Sequence, residues 1–335
     1  QYWLWDAGLR IGCATRTIEE TVDLGRADVT VRTAVLTARF LCGDGEFFHE
    51  FADRIRDELL PDPAEFVAEQ KELMRERQVE YGDTLYLLQP NVKEGAGTLR
   101  DYHAAYWVAR GTQPSVRNVD DFLHFGLLTE LEMDEYRAAL EFLWRTRNEL
   151  HLRTKRANDQ MSFELQEEVS EGLGYGSMAE AFEEMSRRPT TQDETLSDLV
   201  SRPDDEDLPV ERFMRDYYRH ARAIQSYSEL VIEQCGRRVA PTSTPRAPES
   251  PIEDGFCMSE GQIQIPHAAH LRENPIRVLR VFAIAQRRQL RLSRMAQRLL
   301  RENLQLLDET VRSSAEVSEL VMQILDGESW VTRTL

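Results

Sequence analysis

The stretch that most limits the fold is residues 210–235, VERFMRDYYRHARAIQSYSELVIEQC. Its apolar residues return every three or four positions and it contains neither Gly nor Pro, so it is predicted to form one long amphipathic helix. An apolar stripe of that length is covered only by other elements, and the chain offers more helices to cover it. Periodicity predicts helices near 119–125, 130–155 and 162–173, and another over TLRDYHAAYWVAR, where Leu99, His103, Tyr106 and Trp107 share one face. Upstream, helices over about 46–60 and 64–80 are parted by Pro61 and Pro63. Thr17 with Glu20 reads as a capping box for a helix over 18–25, and Asp28 as the cap of a helix through VTVRTAVLTARFLCG. Residues 2–7 form a short helix stopped by Gly8, and residues 275–325 are again helical. Strand signals are few: LRIGCATRT at 9–17, TLYLLQPNVK at 84–93, and a small hairpin in FCMSEGQIQI. The fold class is mainly α with a few short strands.

Between these elements lie an acidic polar insert at 187–209 and a Pro/Ser/Thr linker, VAPTSTPRAPESP. The formal net charge of −18 and pI near 4.9 argue against DNA, RNA or anionic membrane as a partner. No apolar run approaches a membrane span. Cys13, Cys42, Cys235 and Cys257 make no CxxC pair and no zinc spacing with histidine, and reduced thiols suit a cytoplasmic protein. The start, QYWLWDAGLR, has no signal-peptide pattern and reads as the middle of an element, so the expectation is a fragment of a longer chain.

One loop stands out: QPNVKEGAGTLRDYH, residues 89–103. Gly95 and Gly97 allow backbone conformations and close approaches closed to other residues. Thr98 stands where it caps the following helix, whose N-terminus carries free N–H groups and partial positive charge. Lys93 and Arg100 flank it. Glycines, a helix start and two cations suit an anion, most naturally a phosphate. Glu94 and Asp101 would orient those cations or help hold a metal. The alternative from the same residues is a salt-bridged turn that pins a strand to a helix and binds nothing. The loop lacks the GK[ST] ending of a Walker A sequence.

Other candidates are less specific. Arg10 and Arg16, beside the first predicted strand, would face a phosphate or simply the solvent. Asp6 and Asp28 are possible metal carboxylates, though capping already explains Asp28. His103, His151 and His220 sit on predicted helices and read as packed side chains. There is no His-Asp pair for a phosphohydrolase and no GxSxG. RFMRDYYRHARAI reads as a structural helix with exposed arginines rather than a nucleic-acid helix.

QPNVKEGAGTLRDYHAAYWVAR resembles the PN-(I/V)-KEGPGGLRD signature of the bacterial PII uridylyltransferases, bifunctional enzymes that attach UMP to the nitrogen-signalling PII protein and remove it. Collinear stretches extend the resemblance. LWDAGLRIGCATRTIEETVDLGRADVTVRTAVLTARFLCGD resembles the end of the family's nucleotidyltransferase domain. RNELHLRTKRANDQMSFELQEEVSEGLGYG and VERFMRDYYRHARAI resemble the helical domain after it, and FCMSEGQIQI with the helices from Pro275 resembles the bridge toward a His-Asp hydrolase domain. There are departures: Ala96 and Thr98 replace a Pro and a Gly of the signature, and Cys13 stands where a histidine is common.

The resemblance implies a helical bundle appended to the C-terminal remnant of an α+β nucleotidyltransferase domain. It implies domains at 1–40 (nucleotidyltransferase remnant), 41–238 (helical domain), 239–255 (linker) and 256–335 (helical bridge). It implies transfer of UMP from UTP to a tyrosine of PII, with Mg²⁺ held by an Asp-x-Asp pair on a strand that follows a Gly-rich turn; no such turn and strand are read in this sequence, so the chain alone is expected to be inactive. Lys93, Glu94, Gly95, Gly97, Arg100, Asp101 and Arg16 are the implied substrate-binding residues; none is implied as a metal ligand. A related putative nucleotidyltransferase, a glutamine synthetase adenylyltransferase-like protein and a non-catalytic helical scaffold remain open as alternatives.

Overall fold

The computed structural model describes residues 2–8, 11–82, 84–179, 207–240, 250–259 and 261–326. The chain divides into two compact units, Gln1–Ala240 and Pro241–Leu335.

The first unit is helical throughout: α1 Tyr2–Asp6, α2 Ile18–Ala27, α3 Val29–Leu36, α4 Gly45–Leu59, α5 Pro63–Tyr81, α6 Leu99–Thr112, α7 Asp121–His124, α8 Glu130–Thr154, α9 Phe163–Gly172 and α10 Pro209–Val239. The helix starts follow the capping chemistry. Thr17 and Glu20 exchange both capping-box bonds at α2, and the Asp28 carboxylate accepts from the Thr30 N–H at α3. Asp62 caps α5 with Pro63 at its first position, where a missing N–H costs nothing. A capping box of Thr129 and Glu132 opens α8. The helix after Asp28 is shorter than predicted: its backbone leaves helical geometry at Thr37.

The long amphipathic helix is α10. Its stripe of Phe213, Tyr217, Ala221, Ile224 and Val231 is buried against α6 and α8, with α5 and α9 closing the sides. The facing side chains Leu99, Val108, Tyr136 and Leu143 are fully buried, each worth about 1.5–3 kcal/mol of burial. Inside this core the Tyr136 hydroxyl meets the Ser228 hydroxyl at 2.8 Å, which satisfies both polar groups. A smaller cluster of Ile18, Val22, Ile55 and Leu59 joins α2 to α4.

Two expected strands do not form. Residues 11–17 are an exposed extended stretch with no ladder, and residues 9 and 10 lie outside the described residues. TLYLLQPNVK is irregular and keeps one bridge, Asn91 to Gln160. An extended segment is stable only with a partner to bond, and among the described residues neither segment has a partner strand. The predicted insert at 187–209 falls largely outside the described residues; Pro209 opens α10.

The second unit holds a four-stranded sheet in the order β1 Ser250–Pro251, β2 Cys257–Ser259, β3 Gln262–Gln264 and β4 Arg291–Leu292. The predicted hairpin is β2 and β3, antiparallel, with Gly261 at φ +73° in its turn. Strand β1 pairs antiparallel with β2, and β4 pairs parallel with β3. Helices α11 Ala268–Glu273, α12 Arg277–Arg288, α13 Arg294–Glu302, α14 Glu309–Arg312 and α15 Ala315–Asp326 complete the unit, with Phe256, Ile263, Leu271, Val281 and Ile284 in its core.

Candidate functional site

The loop before α6 is tied down from three directions. From below, Asn91 forms an Asx turn: its side-chain oxygen accepts from the Lys93 N–H at 3.1 Å and the Glu94 N–H at 2.8 Å. From the side, the segment after α8 pairs with it. The Val92 N–H donates to the Asp159 carbonyl at 2.8 Å, and the Met161 N–H to the Pro90 carbonyl at 3.0 Å. From within, the Thr98 hydroxyl donates to the carbonyls of Lys93 at 2.7 Å and Gly95 at 2.6 Å. This corrects the capping role expected of Thr98. It occupies the cap position of α6, but its hydroxyl turns back to the loop and makes no side-chain cap bond.

Asp101, one turn into α6, ties the helix back to the loop instead. Its side chain is fully buried and accepts from the Gly97 N–H at 2.7 Å, while its other oxygen is ion-paired to Arg77 on α5. Burial pushes the Asp101 carboxyl above its ordinary range, opposed by the Arg77 guanidinium and the Gly97 N–H. Gly97 is at φ +68°, and a Cβ there would stand 2.3 Å from the Ala221 carbonyl of α10. Gly95 is bound by sterics alone, since its Cβ would meet the Asn91 carbonyl at 2.8 Å. Both glycines therefore serve close packing within the protein.

The exposed side of the loop carries the other charges. Arg100 grips Glu94 in a two-pronged pair, Nε at 3.0 Å and Nη2 at 2.7 Å, and lies over the Trp107 ring. Lys93 reaches the same carboxylate at 3.3 Å. Burial raises the Glu94 carboxyl, but Arg100 and Lys93 outweigh it and hold the group below its usual range. Arg16 lies in the exposed 11–17 stretch and makes no hydrogen bond or ion pair among the described residues; Arg10 lies outside them.

Two histidines read from the sequence as packed side chains, His103 and His151, join this site, with Arg147, Asp159, Arg77 and Gln70, which sequence reading did not select. Arg147 holds Asp159 at 2.7 and 3.3 Å, and the His151 ring meets the same carboxylate at 3.0 Å. Burial raises the Asp159 carboxyl, and Arg147 with His151 reverses that to a net lowering. His103 stacks on Trp107 at 5.6 Å between centroids. Burial, then the nearby Arg100 and Arg147, push it down to about 4, so it is neutral near pH 7. Arg77 and Gln70 come from α5. Their signal was present: Phe66, Val67, Gln70, Met74 and Arg77 follow one helical stripe, and two polar groups on a buried stripe mark a site.

Chemically the loop presents two cations on a rigid frame, each already partnered by Glu94. It does not fit a divalent metal, because Glu94 and Asp101 are both bound to guanidinium groups. Among the described residues no cluster of three His, Cys, Asp or Glu could hold such an ion. Likewise, no described helix is long and apolar enough to cross a membrane.

Comparison with known proteins gives consistent results. The family model described as GlnD PII-uridylyltransferase matches residues 65–232, and that described as the uridylyltransferase GlnD third domain matches 256–335. A bifunctional uridylyltransferase/uridylyl-removing enzyme of Rhodopseudomonas palustris is 32% identical over 98% of this chain and 34% of its own length. Those of Bradyrhizobium diazoefficiens and Nitrobacter winogradskyi are 31% and 32% identical over 98% and 99% of this chain. The chain spans about a third of the length of these relatives. No solved structure matches it.

Proposed function

Because the chain belongs to the PII-uridylyltransferase family, we propose that it is the helical part of a bifunctional enzyme that moves UMP from UTP to a tyrosine of PII and removes it. In this reading residues 1–40 are the tail of the nucleotidyltransferase domain, residues 41–238 the helical domain, and residues 256–335, beyond a linker at 239–255, a bridge toward a hydrolase domain.

The observation that carries the proposal is the frame around the loop. The Arg77–Asp101–Gly97 clamp and the Thr98 bonds hold Lys93 and Arg100 on a fixed turn inside the span that the family model matches. A preorganised pair of cations is what a triphosphate needs from the domain that closes over it, since phosphoryl-type transfer relies on positioning and charge stabilisation. Glu94 keeps Arg100 in place when no phosphate is there, and phosphate oxygens would compete for the same donors. Among the described residues no carboxylate set is found for the Mg²⁺ of such a reaction, and in this reading its ligands lie outside them. In this reading the chain by itself binds but does not catalyse. The four free cysteines suit the cytoplasmic setting we propose.

Titrating the chain with UTP by calorimetry tests this. The expected result is weak, salt-sensitive binding that Lys93→Gln and Arg100→Gln each reduce. Binding of PII with no response to UTP, in the chain and both variants alike, would instead support a purely scaffolding role.

A further inference from the structure

On the other side of Arg100, α3, α5 and α6 enclose a cleft of about 220 Å³. Its polar lining consists of Thr30 and Thr33 from α3, Gln70 and Arg77 from α5, and Arg100 from α6. All of these bring hydrogen-bond donors, and no carboxylate lines the cleft. Met74, Ala104 and Trp107 form apolar walls. Gln70 is only 2% exposed, and its Nε2 has no hydrogen-bond partner. The Arg77 Nε is likewise buried and without a partner, because the Asp101 pair engages only the outer end of the guanidinium. Buried donors are nearly always satisfied, and two residues with orphaned donors line this one cleft. We propose that this cleft binds a phosphate-type oxyanion, with Gln70 Nε2, Arg77 Nε and Arg100 as its donors.

The donor arrangement chooses the chemistry. A carboxylate is satisfied by one guanidinium fork. Three separate donor groups, two on α5 and one on α6, suit a tetrahedral group with three or four oxygens. The volume, below that of ordinary small-molecule pockets, takes the phosphate itself, free or at the end of a monoester. Asp101 pairs with Arg77 and Glu94 with Arg100, which orients both guanidinium groups. The proposed site shares Arg100 with the nucleotidyl-transfer reading but stands on Gln70 and Arg77, which that reading does not use as ligands, so the Gln70 variants test it separately from Lys93→Gln.

The test is calorimetry on the full 335-residue chain with inorganic phosphate at constant ionic strength, with UMP and acetate as parallel arms and ¹⁵N spectra of the Gln70 side-chain amide. Saturable phosphate binding is expected, with a shift of that amide and an affinity roughly tenfold weaker in Gln70→Leu, the weight of one hydrogen bond to a charged group. UMP binding through the same amide shift would identify a monoester as the natural form; phosphate alone would identify the free ion. If Gln70→Leu fails to fold by circular dichroism, Gln70→Glu serves instead, and its carboxylate is expected to abolish binding. The proposal is overturned by absence of saturation, by acetate binding as tightly as phosphate, or by a folded Gln70 variant that binds unchanged.

Discussion

At the scale of single residues, the loop is held by groups whose removal has unequal costs. Asp101→Asn leaves Arg77 buried beside a neutral partner, and a broken buried pair costs about 3–5 kcal/mol. Chemical denaturation should show a loss of that order. Lys93→Ala, at a half-exposed pair, should cost under about 1 kcal/mol. Gly97→Ala meets both a positive φ and the Ala221 carbonyl, so a loss of roughly 2 kcal/mol or more is expected in the same assay. His103 adds a pH dependence. Its folded value near 4 lies below the ordinary 6.5, so between those values the unfolded chain binds more protons. Stability therefore rises with pH across that window and is lost as pH falls from about 6.5 toward 4. Urea midpoints measured from pH 7 to pH 5 should fall less steeply in His103→Gln than in the unaltered chain. An equal slope would mean His103 does not titrate there.

At the scale of elements, helix starts were readable because capping is local. Thr17, Asp28 and Asp62 cap from within a few residues of the helices they open. The Thr129 box on α8 gives a direct check: Thr129→Ala should lower stability by about 1 kcal/mol, read as a shifted denaturation midpoint with unchanged slope. Thr98 shows where this reading stops. Its neighbours in sequence suggest a cap, but the carbonyls of Lys93 and Gly95 lie within reach of its hydroxyl and take it instead. The strand expected at 9–17 failed for a related reason, since pattern records a segment's preference but not whether a partner stands beside it. The charged residues of the loop were legible, being nine positions apart at most. Gln70 and Arg77 showed only as polar groups on an apolar stripe, and neither their meeting with the loop nor that of Asp159 was legible, because it comes from the packing of α5 and the turn after α8.

At the scale of the whole molecule, the chain is two compact units, and its kinship spans both. The helical unit frames two cations that no described carboxylate set can pair with a catalytic metal. Under the proposed function, this chain positions phosphate but does not transfer it. The direct measurement is incubation of the purified chain with radiolabelled UTP, Mg²⁺ and PII, followed by separation of labelled protein. No label on PII above a control without the chain is expected. Mg²⁺-dependent labelling of PII would show instead that the chain carries its own transfer chemistry.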